Sequence, residues 1–410
     1  MEYFNNCVET LKKWLKIKSV KTAPEINAPF GEGVKKMLET ALKDAENLGF
    51  KTVNYDNFIG EVVFGEGGDK DGLAVLCHLD VVPGGDENLW SHSPYGAIVD
   101  GDKLFARGIE DDKGPAATCL YALKKLKDEG FLPRRKIKLI FGCDEESGWG
   151  CVEHYNKVAV MPSVGFSPDG DFPVIYSEKG IYHIKYAFPL SPAVSSVSGG
   201  DRVNVVPDKA QVEYKNGRIV RFSGKTAHGS TPYLGDNAVK KAVYDMVENG
   251  AFDIKNYSAL FENGALFKDL ADESGALTFS PDVITSDGEN IYFDVDVRYP
   301  SQIDFAVIEA RLESIGKFTV SEHKKPLFVD KNSELVTTLN GIYNKLSGRN
   351  ETPVTTGGGT YARALENGVA FGPLPLDAGG RAHMPDEFMT FSELKLCFDA
   401  YYLAIKELSK

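Results

Sequence analysis

Residues 137–150 read IKLIFGCDEESGWG, an apolar run that ends in three consecutive acids, Asp144, Glu145 and Glu146. The run 137–141 is short and apolar apart from Lys138, which predicts a buried strand of a parallel sheet. Three adjacent carboxylates repel one another. Holding them in a partly dry site is costly unless a cation or an unusual proton distribution compensates. The stretch therefore predicts a metal site at the end of a buried strand.

Strands and helices alternate on both sides of this stretch. Apolar runs at 73–77, 163–166 and 368–371 predict further strands, and apolar residues at helical spacing predict helices at 4–15 and 115–127. Further helices are predicted at 335–346 and 391–408. This alternation predicts an α/β fold with a mostly parallel sheet flanked by helices.

The middle third of the chain has a different pattern. Residues 180–326 contain strands with alternating polar and apolar residues, such as 181–186 and 291–297, which are typical of an antiparallel sheet with one exposed face. Helices are predicted near 237–248 and 302–314. We therefore predict an α/β domain formed by residues 1–179 and 335–410, interrupted by an α+β module at 180–334.

Composition and charge narrow the range of partners and compartments. The 410 residues carry a formal net charge of −13, which disfavours nucleic acid and anionic membrane as partners. No apolar run approaches the roughly 18 residues that a membrane-spanning helix needs. The first residues lack the pattern of a signal peptide, and the six cysteines contain no Cys-x-x-Cys. We expect a cytoplasmic protein with reduced thiols.

Histidines and acids occupy corresponding places along the predicted sheet. His78 and Asp80 follow the first strand, Asp169 follows the strand 163–166, and His383 follows the strand 368–371. Asp111 precedes a predicted helix and alone would be interpreted as its cap. Because ligands bind beyond the carboxyl ends of parallel strands, we expect these groups to converge.

The spacing within the pairs suggests a division of tasks. In an extended loop His78 and Asp80 point to opposite sides, so Asp80 suits the orientation of the imidazole better than the binding of the same ion. Of Glu145 and Glu146, one is expected to bind metal while its neighbour faces a bound water. Five ligands of mixed histidine and carboxylate type suit two zinc-like ions that share a bridging carboxylate, and a free glutamate beside the water completes a hydrolase.

Nine motifs occur in order along the whole chain and together resemble one family. They are CHLDVVPGG, RGIEDDKGP, CDEESGWG, SPDGDFPVIYSEKG, RVNVVPD, GKTAHGSTP, DVRYP, GGGTYARAL and AHMPDEF. The chain resembles the dinuclear-zinc metallopeptidases that include aminoacylases, succinyl-diaminopimelate desuccinylases and dipeptidases. It is most similar to the PepV-type dipeptidases. The resemblance implies a catalytic α/β domain with the middle module as a lid.

The resemblance implies two Zn²⁺ ions per chain, for which Mn²⁺ or Co²⁺ would be suitable substitutes. One ion is expected on His78 and Asp169 and the other on Glu146 and His383, with Asp111 as the bridge. The family also has a cis peptide bond after the residue that corresponds to Asp111.

The remaining site residues are also implied by the resemblance. Asp80 resembles the acid that orients the histidine ligand, Glu145 resembles the general base, and His228 resembles the histidine that stabilises the oxyanion. Asn204 and Arg298 resemble contacts to the substrate backbone or carboxylate. The stretch Gly358-Gly359-Thr360 resembles a backbone loop near the substrate. A turn-forming role for Asn204 and a structural ion pair for Arg298 are the simpler alternatives.

The function implied is hydrolysis of dipeptides. A deacylase of N-acyl or N-succinyl amino acids on the same metals is the alternative, and an inactive binding protein is the remaining one. Lys209–Gly224 is shorter than in PepV-type enzymes, so both a monomer and a homodimer stay open, as does the subunit that supplies His228. We expect His92, His154, His183 and His323 to have structural roles.

Overall fold

The computed structural model of the protein describes residues 2–410, and it divides into two compact units. The first unit comprises Met1–Tyr176, Val329–Val354 and Thr360–Lys410, and the second comprises Ser177–Phe328 and Thr355–Gly359. Each unit has its own hydrophobic core. The observed division differs from the predicted boundaries in three places. Residues 177–179 and 355–359 fall in the second unit, and residues 329–334 fall in the first.

The N-terminal part of the chain carries four helices and nine strands. They are α1 (Glu2–Leu15), α2 (Glu32–Asn47), β1 (Lys51–Tyr55), β2 (Ile59–Phe64), β3 (Leu73–His78), β4 (Ile98–Asp100), β5 (Lys103–Phe105), α3 (Lys113–Asp128), β6 (Ile137–Gly142), α4 (Gly150–Val158), β7 (Val164–Ser167), β8 (Gly170–Phe172) and β9 (Ile175–Glu178).

The middle part is richer in strands. Its elements are β10 (Gly180–Pro189), β11 (Val194–Gly199), β12 (Lys209–Tyr214), β13 (Ile219–Ser223), α5 (Ala238–Glu248), α6 (Ile254–Phe261), α7 (Gly264–Phe267), β14 (Ala271–Asp272), β15 (Gly275–Ala276), β16 (Thr278–Ser286), β17 (Asn290–Tyr299), α8 (Phe305–Glu313), β18 (Phe318–Lys324) and β19 (Leu327–Phe328).

The C-terminal part returns to helix and strand alternation. Its elements are α9 (Glu334–Ser347), β20 (Val354–Thr356), β21 (Asn367–Ala370), β22 (Pro373–Pro375), β23 (Phe388–Thr390) and α10 (Phe391–Leu408).

The central sheet of the first unit has the strand order β1, β2, β6, β3, β7, β21. The neighbours from β6 to β21 are parallel, while β1 and β2 add an antiparallel edge. Strands β3 and β6 are buried along their whole length, Lys138 of β6 included, as the short apolar runs predicted. The predicted α/β fold with a mostly parallel sheet is therefore confirmed, and the carboxyl ends of four parallel strands share one edge.

The helices of the first unit cover the sheet through apolar faces. Helix α1 buries Val8, Leu11 and Leu15, which recur at helical spacing. Helix α10 begins at a capping box, in which Thr390 accepts from the backbone N–H of Glu393 while the Glu393 side chain accepts from the backbone N–H of Thr390. These local signals explain why both ends of the chain were predictable as helices.

Helix α3 begins earlier than the sequence predicted. It starts at Lys113 rather than at Pro115, and Asp112 occupies the N-cap position without a side-chain cap hydrogen bond. The Asp112 carboxylate instead accepts from the backbone N–H of His78 at 3.0 Å. The interpretation of Asp111 as a helix cap is therefore wrong, because α3 starts at Lys113, two residues after Asp111, and Asp112 occupies the N-cap position.

The second unit contains a seven-stranded antiparallel sheet in the order β13, β12, β11, β16, β17, β10, β18. In β17 the side chains of Phe293, Val295 and Val297 enter the core of this unit, whereas Asp294, Asp296 and Arg298 alternate with them on the other face. Among residues 2–410, no helix combines the length and the apolar character that spanning a bilayer requires.

Trp14 provides a test of how α1 is held in the first unit. Its side chain is fully buried, packs edge-on against Phe141 at 5.9 Å between ring centroids, and donates from Nε1 to Asp44 Oδ2 at 2.9 Å. We expect Trp14→Ala to lower the free energy of unfolding by about 3–5 kcal/mol, because it leaves a cavity and an unpaired acceptor. Urea unfolding followed by far-ultraviolet circular dichroism measures the change.

Leu132→Ala is the matched control for this prediction. Leu132 is 86% exposed, so its truncation should change the free energy of unfolding by no more than about 0.5 kcal/mol. Equal effects of the two substitutions would contradict the packing described for α1.

Candidate functional site

The side chains predicted to bind metal lie in the first unit, at the edge where the parallel strands end. His78 is the last residue of β3, Asp111 lies just before α3, Glu146 follows β6, and Asp169 follows β7. His383 lies in the loop that follows β22 and has a left-handed backbone conformation with φ of 63°. The peptide bond between Asp111 and Asp112 is cis, as expected from the resemblance.

The five side chains form two groups that share one member. His78, Asp111 and Asp169 form the first group, and Asp111, Glu146 and His383 form the second. In each group one potential ligand atom from every member lies within 4.8 Å of the others. The sequence-predicted ligands are thus brought together in the predicted division, with Asp111 common to both groups.

The distances within these groups are short. His78 Nε2 lies 2.7 Å from Asp111 Oδ1 and 3.9 Å from Asp169 Oδ2. On the other side, His383 Nε2 lies 2.9 Å from Asp111 Oδ2 and 3.1 Å from Glu146 Oε2. The two oxygens of Asp111 therefore face different imidazoles, which is the arrangement that a bridging carboxylate requires.

The electrostatic field at this point favours positive charge. Burial alone would lower the pKa of His78, but the Asp111 carboxylate raises it well above its ordinary value. Hydrogen bonds to Asp111 and Glu146 raise the pKa of His383 to about 11. Burial opposes ionisation of Asp111, yet the two imidazoles hold the pKa of its carboxyl well below the usual range. A donor set of imidazole nitrogens and carboxylate oxygens in such a field fits divalent zinc-like cations.

Asp80 connects two of the loops that carry these ligands. Its backbone carbonyl lies 3.0 Å from His78 Nδ1, and its side-chain Oδ1 lies 3.6 Å from the same nitrogen. Its carboxylate also accepts from the backbone N–H groups of Glu145 and Glu146, each at 3.2 Å. Asp80 thus holds the acidic loop as well as facing the imidazole, a task that the sequence did not predict.

Glu145, like Asp144 of the same loop, belongs to neither group of potential ligands. Burial raises the pKa of its carboxyl well above the ordinary value, and the nearby Asp169 carboxylate adds to the increase. Trp149 Nε1 donates to Glu145 Oε1 at 3.2 Å. A carboxylate with a raised pKa that is held beside a cluster of potential metal ligands suits the acceptance and return of a proton.

Two glutamates that the sequence interpretation did not single out accept hydrogen bonds from the backbone of the loops that carry Asp111 and His383. Glu387 is fully buried and accepts from the backbone N–H groups of Gly108 and Glu110, as well as from Arg107 Nη1 at 2.6 Å. Glu110 accepts from the backbone N–H of Arg381 at 3.0 and 3.1 Å. Both lie within quoted motifs, RGIEDDKGP and AHMPDEF, and an acid in the same motif as a predicted ligand was the signal that could have found them.

The second unit contains the predicted histidine of the TAHGS motif. His228 Nδ1 accepts from the backbone N–H of Ser230 at 3.1 Å and lies 2.7 Å from Ser230 Oγ. Because a backbone N–H can only donate, Nδ1 carries no proton, and Nε2 of the neutral ring carries one. Partial burial and the positive charge of Arg298 lower the pKa of His228. This tautomer presents an N–H donor, which is what stabilisation of an oxyanion requires.

Other predicted substrate contacts lie around the same motif within the second unit. The carbonyl of Asn204 accepts from the backbone N–H of Gly229 at 2.8 Å. A Cβ built on Gly357 would lie 3.0 Å from Ser230 Cβ, so the loop that contains Gly358 and Gly359 passes beside this motif.

Arg298 and Thr360 have defined contacts. Arg298 Nε donates to Asp296 Oδ1 at 2.7 Å. Thr360 belongs to the first unit, and its Oγ1 accepts from the backbone N–H of Ala362 at 3.2 Å, which caps a short 3-10 helix. The remaining histidines of the described chain fall in neither group of potential metal ligands. They are His92, His154, His183 and His323.

Comparison with known proteins identifies the family of this chain. The family model described as Peptidase family M20/M25/M40 matches residues 74–407. The chain is 34% identical to "Putative dipeptidase YtjP" of Bacillus subtilis (strain 168), over 98% of this chain and 97% of that protein. It is 32% identical to "Putative dipeptidase SAB1611c" of Staphylococcus aureus (strain bovine RF122 / ET3-1), over 99% of this chain and 98% of that protein.

Solved structures share the fold at low sequence identity. Human carnosine dipeptidase 1 is 14% identical with a TM-score of 0.63, over 99% of this chain and 97% of that chain. The dipeptidase Dug1p of Saccharomyces cerevisiae is 14% identical with a TM-score of 0.61, over 100% of this chain and 98% of that chain. The similarity to these structures supports the fold, while the family model and the curated relatives identify the family. The chain therefore belongs to peptidase family M20/M25/M40 and is a metallopeptidase.

Proposed function

We propose that this metallopeptidase hydrolyses the peptide bond of dipeptides at a centre of two Zn²⁺ ions, with Glu145 as the general base. The observation that carries the proposal is the arrangement of imidazoles and carboxylates in two groups of potential ligands that share Asp111. Glu145 lies beside these groups and belongs to neither. The curated relatives named as dipeptidases support a small peptide as the substrate.

The residues divide the work as follows. His78 and Asp169 would hold one ion, Glu146 and His383 the other, and Asp111 both. Zn²⁺ in such a site polarises a carbonyl group and lowers the pKa of water to about 7. Mn²⁺ or Co²⁺ would also suit this set of nitrogen and oxygen ligands.

Glu145 moves the protons of the reaction. It takes a proton from the attacking water and returns it to the leaving amine, so one carboxylate serves as base and then as acid. The contact from Trp149 Nε1 occupies Oε1 of Glu145 and favours use of the other oxygen for the proton. Asp80 keeps this residue in place, because it accepts from the backbone N–H of Glu145.

The second unit would supply the contacts to the peptide. We propose His228 Nε2–H as the donor to the oxyanion, Arg298 as the partner of the substrate carboxylate, and Asn204 with the loop from Gly358 to Thr360 near the substrate backbone. The protein would act as a monomer or a homodimer, and in a homodimer the partner subunit would be able to supply the histidine. Under this proposal the second unit serves as the predicted lid.

The role of Glu145 predicts a specific kinetic change. Glu145→Gln removes the proton acceptor but keeps the shape of the side chain, so we expect kcat to fall by about 10²- to 10⁴-fold. The metal content should stay at the wild-type value, because Glu145 is not a proposed ligand. Steady-state kinetics and elemental analysis of the purified variant measure the two quantities.

Glu153→Gln is the matched control for this variant, since Glu153 is an exposed acid on the helix that follows. Its kcat should equal that of the wild type. A Glu145→Gln protein that has lost its metal would reassign Glu145 as a ligand, and one with wild-type kcat would remove it from the mechanism.

The metal centre predicts that chelation abolishes hydrolysis. Dialysis against an excess of chelator should remove about two ions per chain, and added Zn²⁺ should restore both metal content and activity. His383→Asn should retain about one ion, because the first group does not include His383. Undiminished turnover in excess chelator is the result that would exclude this mechanism.

A substrate panel separates the proposed reaction from deacylation on the same metals. Dipeptides, N-acetyl amino acids and N-succinyl diaminopimelate are compared by kcat/KM under identical metal loading. We expect the highest kcat/KM for dipeptides. A higher value for either acylated substrate would replace the dipeptidase proposal with the deacylase alternative.

A further inference from the structure

A row of polar side chains crosses the sheet of the second unit. In register, Glu322 of β18, His183 of β10, Asp296 of β17 and Ser280 of β16 are neighbours across four strands. His183 Nδ1 lies 2.8 Å from Glu322 Oε2, and His183 Nε2 lies 3.4 Å from Asp296 Oδ1. The row ends at Arg298, whose Nε donates to the same Oδ1 atom at 2.7 Å.

The pair of Asp296 and Arg298 is withdrawn from water. Asp296 is fully buried and Arg298 is 4% exposed. Among residues 2–410, Asp296 is the hydrogen-bonding partner of Arg298, through Nε alone, and neither terminal nitrogen of the guanidinium has an acceptor. A buried ion pair adds little net stability, since desolvation of both charges opposes their attraction. A guanidinium held only by Nε leaves two donors that match a carboxylate.

The other oxygen of Asp296 faces the loop that carries His228. Asp296 Oδ2 has no hydrogen-bond partner among the described residues, and a Cβ built on Gly229 would lie 2.1 Å from it. Only glycine lets the backbone approach so closely. The same carboxylate therefore contacts Arg298 through Oδ1 and lies against the TAHGS loop with Oδ2.

The charges around Asp296 keep it ionised. Burial would raise the pKa of its carboxyl, but His183 and Arg298 lower it. His183 is itself protonated at neutral pH, because Asp296 and Glu322 outweigh its burial and raise its pKa to about 9. Two positive groups thus flank one carboxylate, which fixes the position of that carboxylate in the sheet.

We propose that Asp296 is a positioning residue that grips Arg298 at Nε and orients its two terminal nitrogens toward the carboxylate of a bound peptide. The inference rests on the proposed function, because it assumes a peptide that carries a free carboxylate. Asp296 acts through Arg298 and does not itself touch the substrate. The simpler alternative is an ion pair that only stabilises the sheet.

Equilibrium binding distinguishes the two roles. The metal-loaded Glu145→Gln protein serves as the parent, and calorimetry measures the Kd of a dipeptide and of the same dipeptide with a C-terminal amide. In this background, Asp296→Asn should raise the Kd of the free dipeptide by about tenfold to a hundredfold, which corresponds to the loss of a charge-assisted hydrogen bond. The Kd of the amide should stay within about twofold of its parent value, because the amide lacks the carboxylate that Arg298 would bind.

Three further variants complete the test. Arg298→Ala should show the same selectivity, and addition of Asp296→Asn to it should weaken binding no further, since the residue that Asp296 positions is already absent. Asp294→Asn is the matched control. It removes a carboxylate of the same strand that pairs with Lys185 at 3.2 Å, and it should leave both Kd values unchanged.

Several results would contradict the proposal. Equal weakening of dipeptide and amide binding, additive effects of the two substitutions, or a parent protein that binds neither ligand would overturn the proposal.

If Asp296→Asn alone fails to fold, as its thermal melt would show, a second comparison replaces it. The double variant Asp296→Asn with Arg298→Gln removes both charges and is compared with Arg298→Gln. Weaker binding by the double variant would then overturn it. Hydrolysis by the wild type is measured separately, so that failure of the proposed function is recognised independently.

Discussion

Repulsion among crowded carboxylates is the constraint on which the first unit depends. Asp111 precedes α3, Glu146 follows β6 and Asp169 follows β7, and these three acids lie close to one another, where like charges cannot be packed without compensation. Two imidazoles supply part of that compensation, and their raised pKa values report how strongly the site attracts positive charge. The parallel sheet makes this crowding possible, because its strands deliver their carboxyl ends to a common edge.

The ligands are held mainly by backbone N–H groups that donate to other carboxylates. Asp80 fixes the acidic loop, while Glu387 and Glu110 fix the two loops that bear Asp111 and His383. A carboxylate that accepts from backbone N–H groups restricts the position of the loop rather than that of one side chain. The acids around the candidate metal site therefore fall into two kinds, those that are potential metal ligands and those that secure the polypeptide.

The sequence was sufficient for the fold, and the side chains that it predicted as metal ligands lie together in two groups. Continuous apolar runs and helical spacing are local signals, and they placed β3, β6 and α10 to within a residue. The residues that secure the loops were less accessible, because their partners are backbone atoms that no side-chain pattern records. Glu387 illustrates this, since its contacts to Gly108 and Glu110 join segments far apart in the chain. The boundaries of the units were missed for the same reason, as the segment 355–359 associates through tertiary contacts.

The pairing of β21 with β7 has a consequence for how the protein is made. Val164 pairs with Asn367, so the ribosome must synthesise the whole of Ser177–Phe328 before the sheet of the first unit can be completed. Contacts so distant in sequence form late and leave a nascent sheet edge open to misassociation. His383 emerges later still. Under the proposed function, a growing polypeptide therefore has no complete metal centre, and hydrolytic capacity is withheld until residue 383 has been synthesised.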